Sequence, residues 1–311
     1  MTRAELYAAA KKNGALIDLS SRAKWRVTGA DRIRFLNGQL SNDVRKLKPN
    51  EAIHACVLTV KGKLCSDVFI SAEEDFLRID ADLSLRESLT ARLERYIIAD
   101  DVTIDDVTDA ECLLHVACGD DPFGKFALLE AGLKYQISVS RFHCRGVDLV
   151  MPSELRENAW SSLSKAFTPL DDQLSETLRI EAGVPRWGAE LDENTLPNEA
   201  GLDRDAIDYH KGCYVGQEVI SRIKSVGHVN RSLRGFVSDS PLTAGMQLFE
   251  SNEAAEKSVG HLTSAVWSFG LEKWAALGYL KRGIESPALE ARAADGTAAE
   301  VAVKDLPLIP F

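Results

Sequence analysis

A mixed α+β region followed by a small β-barrel is the architecture this sequence predicts, and two patterns predict it. Through about residue 225, extended apolar runs are interleaved with segments whose apolar residues recur at helical spacing, as when strands and helices share a core. From Leu233 onward only short β-type segments remain, separated by turn residues. A chain of 311 residues has room for two or three domains whose cores need no metal or disulfide staples.

Val27-Thr28-Gly29 ends a short extended segment, and Asp31 precedes Ile33, Phe35, Leu36 and Leu40 at helical spacing. A strand therefore feeds a helix that closes near Ser41-Asn42-Asp43. Residues 53–60 and 64–70 are apolar runs about the turn Lys61-Gly62-Lys63, which predicts a hairpin of buried strands. Its second strand carries one acid, Asp67, on the same face as Cys65 and Phe69. An unpartnered acid among apolar neighbours is costly, so Asp67 reads as a site residue that faces a ligand. A strand at 76–79, a helix with Leu85, Leu89 and Leu93 on one face, and strands near 102–107 and 112–117 follow. Beyond them the pattern predicts a helix over 122–131, strands at 135–140 and 147–151, and helices over 154–167 and 171–182. Six β segments, at 233–237, 246–249, 258–266, 274–280, 289–291 and 298–303, then suit a small barrel or sandwich. No internal repeat at a fixed period is visible.

Composition narrows the function. Apolar residues make up 45% and charged residues 27% of the chain, which excludes disordered and low-complexity classes. Lys and Arg number 37 against 47 Asp and Glu, and the net charge of -10 argues against wholesale binding of nucleic acid or an anionic membrane. The first residues carry acid at once and lack a secretory apolar run, so a cytoplasmic location is expected. Six cysteines occur without a Cys-x-x-Cys pair, and the six histidines without metal-ligand spacing, so no protein-only metal site is expected.

The most unusual stretch is Lys211-Gly212-Cys213-Tyr214-Val215-Gly216-Gln217-Glu218. Two glycines four apart permit a tight loop, and Val219, Ile220 and Ile223 behind them are spaced for one helix face, with Glu218 in its first turn. A thiol near an ammonium group and a helix start gains thiolate character, so Cys213 is the cysteine with a case for chemistry; the alternative is a turn in which Cys213 merely packs. Downstream, Arg222, Lys224, Arg231 and Arg234 occur with no acid between Val219 and Ser238, which suits a small polycarboxylate or phosphate, or else a solvated linker. Upstream, Glu181 and Glu199 stand beside glycines or proline, where a carboxylate could accept paired N–H donors from a heterocycle.

Together these stretches resemble a family. Gly29-Ala30-Asp31 with Phe35 through Val44, Lys61-Gly62-Lys63 with Asp67, Arg179 through Gly183 and the Lys211–Glu218 octet are similar to the YgfZ-type folate-binding proteins, relatives of the glycine-cleavage T-protein, an aminomethyltransferase. Gly260 through Ser264 and Ala276 through Leu280 resemble the barrel signature shared with that T-protein. The transferases carry two adjacent acids where this chain has Ser66-Asp67, so only one acid is kept.

The resemblance implies a two-lobed folate-binding α+β region over residues 1–225, with a ferredoxin-like lobe at about 50–130, closed by a barrel over 226–311. It implies tetrahydrofolate or a derivative as cofactor, with iron–sulfur client proteins as partners. The implied role is accessory, in the maturation or repair of iron–sulfur enzymes that include tRNA-modifying ones. The expected site comprises Cys213, Lys211, Tyr214 and Asp67 for chemistry, framed by Gly212, Gly216, Gln217 and Glu218. Glu199 and Glu181 are expected at the pterin edge, and Arg222, Lys224 and Arg231 at the glutamate tail, with Cys213 at the channel rim. Two other readings stand beside this one: a tetrahydrofolate-dependent aminomethyltransferase or demethylating enzyme using Asp67, and a non-catalytic folate-binding module.

Overall fold

The computed structural model describes residues 1–118, 135–250 and 257–311; the helix expected over 122–131 lies outside them. Two five-stranded sheets and a closed six-stranded barrel carry the chain. Helix α1 (Arg3–Asn13) opens on a Thr2–Glu5 capping box, two orphan N–H groups satisfied reciprocally. Strand β1 (Ala15–Asp18) enters the first sheet. The chain then leaves it to build the whole second sheet from β2 (Ala23–Thr28), β3 (Ala52–Leu58), β4 (Leu64–Ala72), β5 (Leu77–Ala81) and β6 (Thr103–Asp106), with helices α2 (Arg32–Gln39) and α3 (Arg86–Glu94). It returns through β7 (Glu111–Ala117), β8 (Tyr135–Val139), β9 (Gly146–Pro152), helix α4 (Arg156–Leu163) and β10 (Thr168–Pro169). Strand orders are β10-β1-β7-β9-β8 and β3-β4-β5-β2-β6. The lobe around Asp67 therefore draws its strands from residues 23–106 rather than from about 50–130, because β2 pairs between β5 and β6.

Period-2 alternation explains how the two sheets meet. In the second sheet Trp25, Val27, Val68, Ile70 and Ile79 point to one face and pack with Phe35, Leu36, Leu89 and Leu93 of α2 and α3. In the first, Leu114, Val116, Val147 and Leu149 pack with Ala159 and Leu163 of α4. The residues between them in sequence fall on the opposite faces, where the buried Lys24, Arg78, Asp80, His115 and Asp148 lie beside a small apolar cluster of Leu113, Ile137 and Val150. Charge and this apolar patch share the contact between the sheets. Arg141 binds both Asp80 (3.0 and 2.5 Å) and Asp148 (3.0 and 2.7 Å), and Asp148 also meets His115 Nδ1 at 2.8 Å. At the sheet edges, Ser138 N–H donates to the Asn50 carbonyl at 2.8 Å.

Helix α5 (Asp172–Ala182) is capped by the Asp171 side chain and ended by left-handed Gly183. It packs on the first sheet through Leu174 and Leu178 and on the barrel through Ile180. After an irregular segment and helix α6 (Gln217–Val226), the barrel comprises β11 (Arg231–Ser238), β12 (Gln247–Glu250), β13 (Gly260–Ser268), β14 (Lys273–Lys281), β15 (Ala288–Arg292) and β16 (Ala298–Lys304). It closes in the order β11-β14-β13-β12-β15-β16 around Phe236, Leu248, Leu262, Leu280 and Val301. Closure leaves no open sheet edge.

Candidate functional site

The two lobes and the barrel meet around a cavity of about 1090 Å3, its mouth included. One wall is the inner face of the β3–β4 hairpin: register pairs His54 with Phe69 and Cys56 with Asp67, so His54 and Asp67 are diagonal neighbours on one face. His54 stacks on Phe69 with centroids 4.5 Å apart and planes 5° from parallel. Arg141, Phe142 and His143 come from the first lobe, Val184, Arg186 and Trp187 from the chain after α5, and Leu233 from the barrel. Aromatic and aliphatic side chains share the lining with five arginines, three aspartates and two histidines.

Those charges are ordered. His54 Nε2 lies 3.1 Å from Asp67 Oδ2, and its Nδ1 faces Asp205 Oδ2 at 3.6 Å. Burial alone would lower the His54 pKa, but the Asp205 and Asp67 carboxylates outweigh it and push it up to about 9, so the ring is an imidazolium at neutral pH. Burial tends to raise the Asp67 pKa, and the bond to His54 with its charge and that of Arg22 more than reverses this, so the carboxyl stays ionised. Arg22 also lines the cavity, with Nε on Asp80 at 2.5 Å and Nη2 buried without a protein acceptor. Asp67 is therefore a weak base and a good partner for a cation.

The octet stands apart. Lys211 is buried and its ammonium donates to the carbonyls of Asn37, Leu40 and Asn42 at 2.7, 2.5 and 2.8 Å, which occupies all three N–H bonds at the end of α2. Tyr214 packs with Cys56, Leu58, Leu64 and Ile220 on the hairpin's inner face, toward its turn. Gly216 has φ +87°, and a Cβ there would fall 2.6 Å from the Thr59 carbonyl oxygen. Gln217 and the exposed Glu218 begin α6, and Gly212 has open space around it. Cys213 is exposed, while Cys56, Cys112 and Cys118 are buried. Neither Lys211, Cys213 nor Tyr214 lines the cavity.

Of the residues expected around a pterin and its tail, the structure brings Asp67 to the cavity and leaves the others elsewhere. Glu181 accepts from Tyr7 Oη at 2.7 Å and Ser268 Oγ at 2.5 Å, joining α1, α5 and the barrel, and does not line the cavity. Glu199 is held by Arg231 at 2.9 Å, behind the wall formed by Ala200 and Leu202. Arg222, Lys224, Arg231 and Arg234 do not line the cavity either; Lys224 on α6 and Arg231 and Arg234 on β11 line a separate recess. The cavity draws on Arg22, Arg141, Arg179, Arg186 and Arg204 instead. Sequence reasoning missed His54 and Asp205. Counted from the turn, the register puts His54 on the face opposite Asp67, and only the bulge at Val57–Leu58 brings the two to one face; no local pattern points to that bulge or to Asp205.

Residues 2–119 match the GCVT N-terminal domain, and residues 231–309 match the glycine cleavage T-protein C-terminal barrel domain. Models of both T-protein domains thus match this chain, in the same order. Its architecture agrees with the crystal structure of glycine cleavage system aminomethyltransferase T from Bartonella henselae, at a TM-score of 0.84 over 98% of this chain and 89% of that one; at 17% identity the agreement is one of fold. An aminomethyltransferase of Xylella fastidiosa (strain M12) is 25% identical over 295 residues, 87% of this chain and 78% of its own length. An iron-sulfur cluster assembly factor IBA57 homolog, mitochondrial, of Dictyostelium discoideum is 27% identical over 260 residues; these are 70% of this chain and 61% of that protein. Among the described residues no helix is long and apolar enough to cross a membrane. Nor do those residues include a group of three or more His, Cys, Asp or Glu side chains able to hold a metal.

Proposed function

We propose that the chain binds a reduced folate in the central cavity and serves, as a folate-binding accessory protein, the maturation or repair of iron–sulfur enzymes. The observation that carries the binding half is the hairpin wall. An ionised Asp67, a charged His54 and the Phe69 ring share a cavity with Phe142 and Trp187. Flat rings suit a pterin, the carboxylate suits a protonatable amine, and the unpartnered Arg22 Nη2 offers a donor to a ring carbonyl. Tetrahydrofolate supplies the one-carbon chemistry of such systems when bound; the chain's part is to hold the ring, orient the amine and keep charge on Asp67.

The accessory role is supported by the likeness to the iron-sulfur cluster assembly factor homolog and by the octet, whose exposed Cys213 stands outside the cavity. The transferase reading is supported by the aminomethyltransferase relatives. Against it stands the electrostatics of Asp67: a carboxyl held ionised by His54 is poorly suited to take a proton.

Titration calorimetry with tetrahydrofolate and its polyglutamates tests the binding half. Saturable binding that Asp67→Asn weakens is expected, and no binding at millimolar ligand to folded protein defeats it. Deleting the gene and assaying iron–sulfur enzymes and thiolated tRNA, with restoration by wild type or Cys213→Ala, tests the cellular half. Direct measurement of one-carbon transfer from an amine donor would move the conclusion to the transferase reading.

A further inference from the structure

On the outer side of the wall that carries Glu199 and Leu233 lies a second recess of about 1050 Å3, mouth included. Its basic side chains come from four separate places: Lys224 from α6, His228 from the linker, Arg231 and Arg234 from β11, and Lys281 and Arg282 from the end of β14. The acid in its wall is Asp203. Glu199 and Asp305 stand behind it, paired with Arg231 Nε at 2.9 Å and Arg234 Nη1 at 2.7 Å. Five Lys and Arg thus face three acids, in a chain whose net charge is -10.

The pairing leaves donors over. Arg234 Nε is buried with no partner. The Asn198 amide, anchored on Tyr209 Oη at 3.1 Å, leaves its Oδ1 buried and unpartnered as well; with the amide flipped, the nitrogen takes that place. The Arg282 side chain makes no hydrogen bond or ion pair among the described residues, and Lys224 lies over the Tyr209 ring at 5.0 Å with no carboxylate on it. A buried donor left unpaired is costly, and guanidinium groups match the paired oxygens of phosphate and carboxylate. A solvated linker would not gather cations from α6, β11 and β14 around buried, unpaired polar atoms.

We infer that this recess is a second ligand site, for a small oxyanion, separate from the central cavity. Its ligand is a phosphate group or a short run of carboxylates, held by Arg234 and Arg282 and drawn in by Lys224 and Lys281. The inference does not depend on folate in the cavity, and probes without a pterin test it separately.

The full chain is titrated calorimetrically with inorganic phosphate and, in parallel, with tri-γ-glutamate, at low and at raised salt. At least one probe is expected to bind saturably and to weaken as salt rises. Arg282→Ala and Arg234→Ala should each lower that affinity about tenfold, as loss of a charge-assisted fork does. Arg186→Ala, in the central cavity, should leave it unchanged. Phosphate binding without tri-γ-glutamate binding assigns the site to phosphate groups, and the reverse assigns it to γ-glutamyl carboxylates. Absence of saturable binding by both probes overturns the inference. So does binding that Arg282→Ala leaves intact with the protein folded, or that Arg186→Ala abolishes.

Discussion

His54 is the residue whose protonation does most to define the central cavity. Its native pKa, pushed up to about 9, lies above the 6.5 of an unperturbed histidine, so the native chain binds the proton more tightly than the unfolded one. The resulting stability is complete below about pH 6.5 and is lost as pH rises through about 9. Its size is on the order of 3 kcal/mol. Urea melts of wild type and His54→Gln across this window should therefore converge as the pH rises; a constant gap between the two would mean that His54 is not charged in the native state. Cys213 differs in kind, because exposure rather than charge sets its behaviour. It should alkylate fastest of the six cysteines under native conditions, followed by the half-buried Cys65 and Cys144, and Cys213→Ser should melt like wild type. Equal labelling of Cys56 would show that the hairpin opens.

At the scale of elements, the octet is a strap that ties the chain before α6 to the end of α2 and to the β3–β4 turn. Lys211 does this with three N–H bonds, to the carbonyls of Asn37 in α2, of Leu40 at its C-cap and of Asn42 just beyond, and Val215 N–H adds a bond to the Gly38 carbonyl at 3.2 Å. Lys211→Met keeps the aliphatic stem and removes the donors, leaving buried carbonyls unpaired. A loss of about 2–4 kcal/mol in a denaturant melt is expected. Gly216→Ala adds a Cβ against the Thr59 carbonyl at a left-handed position, which should cost about 1–3 kcal/mol. If Lys211→Met melts like wild type but fails to restore client enzymes in cells, the ammonium has chemistry beyond the strap.

The whole molecule is held by an unusual division of labour. Each sheet gives its larger apolar face to its own helices, and the two lobes meet through a small apolar cluster at Leu113, Ile137 and Val150 and through charge, with Arg141 clamped between Asp80 of one and Asp148 of the other. Burial tends to raise the Asp80 pKa, yet Arg141 and Arg22 bring it down to about 2. A buried ion pair adds little net stability over an apolar substitute, but removing one partner strands the other. Arg141→Gln should cost about 3–5 kcal/mol and loosen the cavity, whose wall includes Arg141 stacked over Phe69 at 4.2 Å. Asp80→Asn combined with Asp148→Asn in that background should recover part of the loss. No recovery would mean that Arg141 acts through packing on Phe69 instead.

Local pattern alone determined the α+β region, the hairpin around Lys61-Gly62-Lys63, the barrel segments and the exceptional standing of Asp67 and the octet. These rest on spacing and on the cost of burying a lone acid, which are properties of neighbouring residues. Tertiary structure decided which of these features share a site. His54 and Asp205 are 151 positions apart and meet only because the chain around Asp205 folds back over the inner face of β3. The insertion of the second sheet between β1 and β7 is likewise absent from local pattern, since β2 finds its partners some 50 and 80 residues downstream. In sequence Glu181 and the basic stretch read as ligand contacts and Lys211 as part of the octet's chemistry, because their charges have no partner among neighbouring residues. Folding supplied Tyr7, the α2 carbonyls and an outer recess as their surroundings, and a charge's partner is set by the path of the whole chain rather than by its neighbours in sequence.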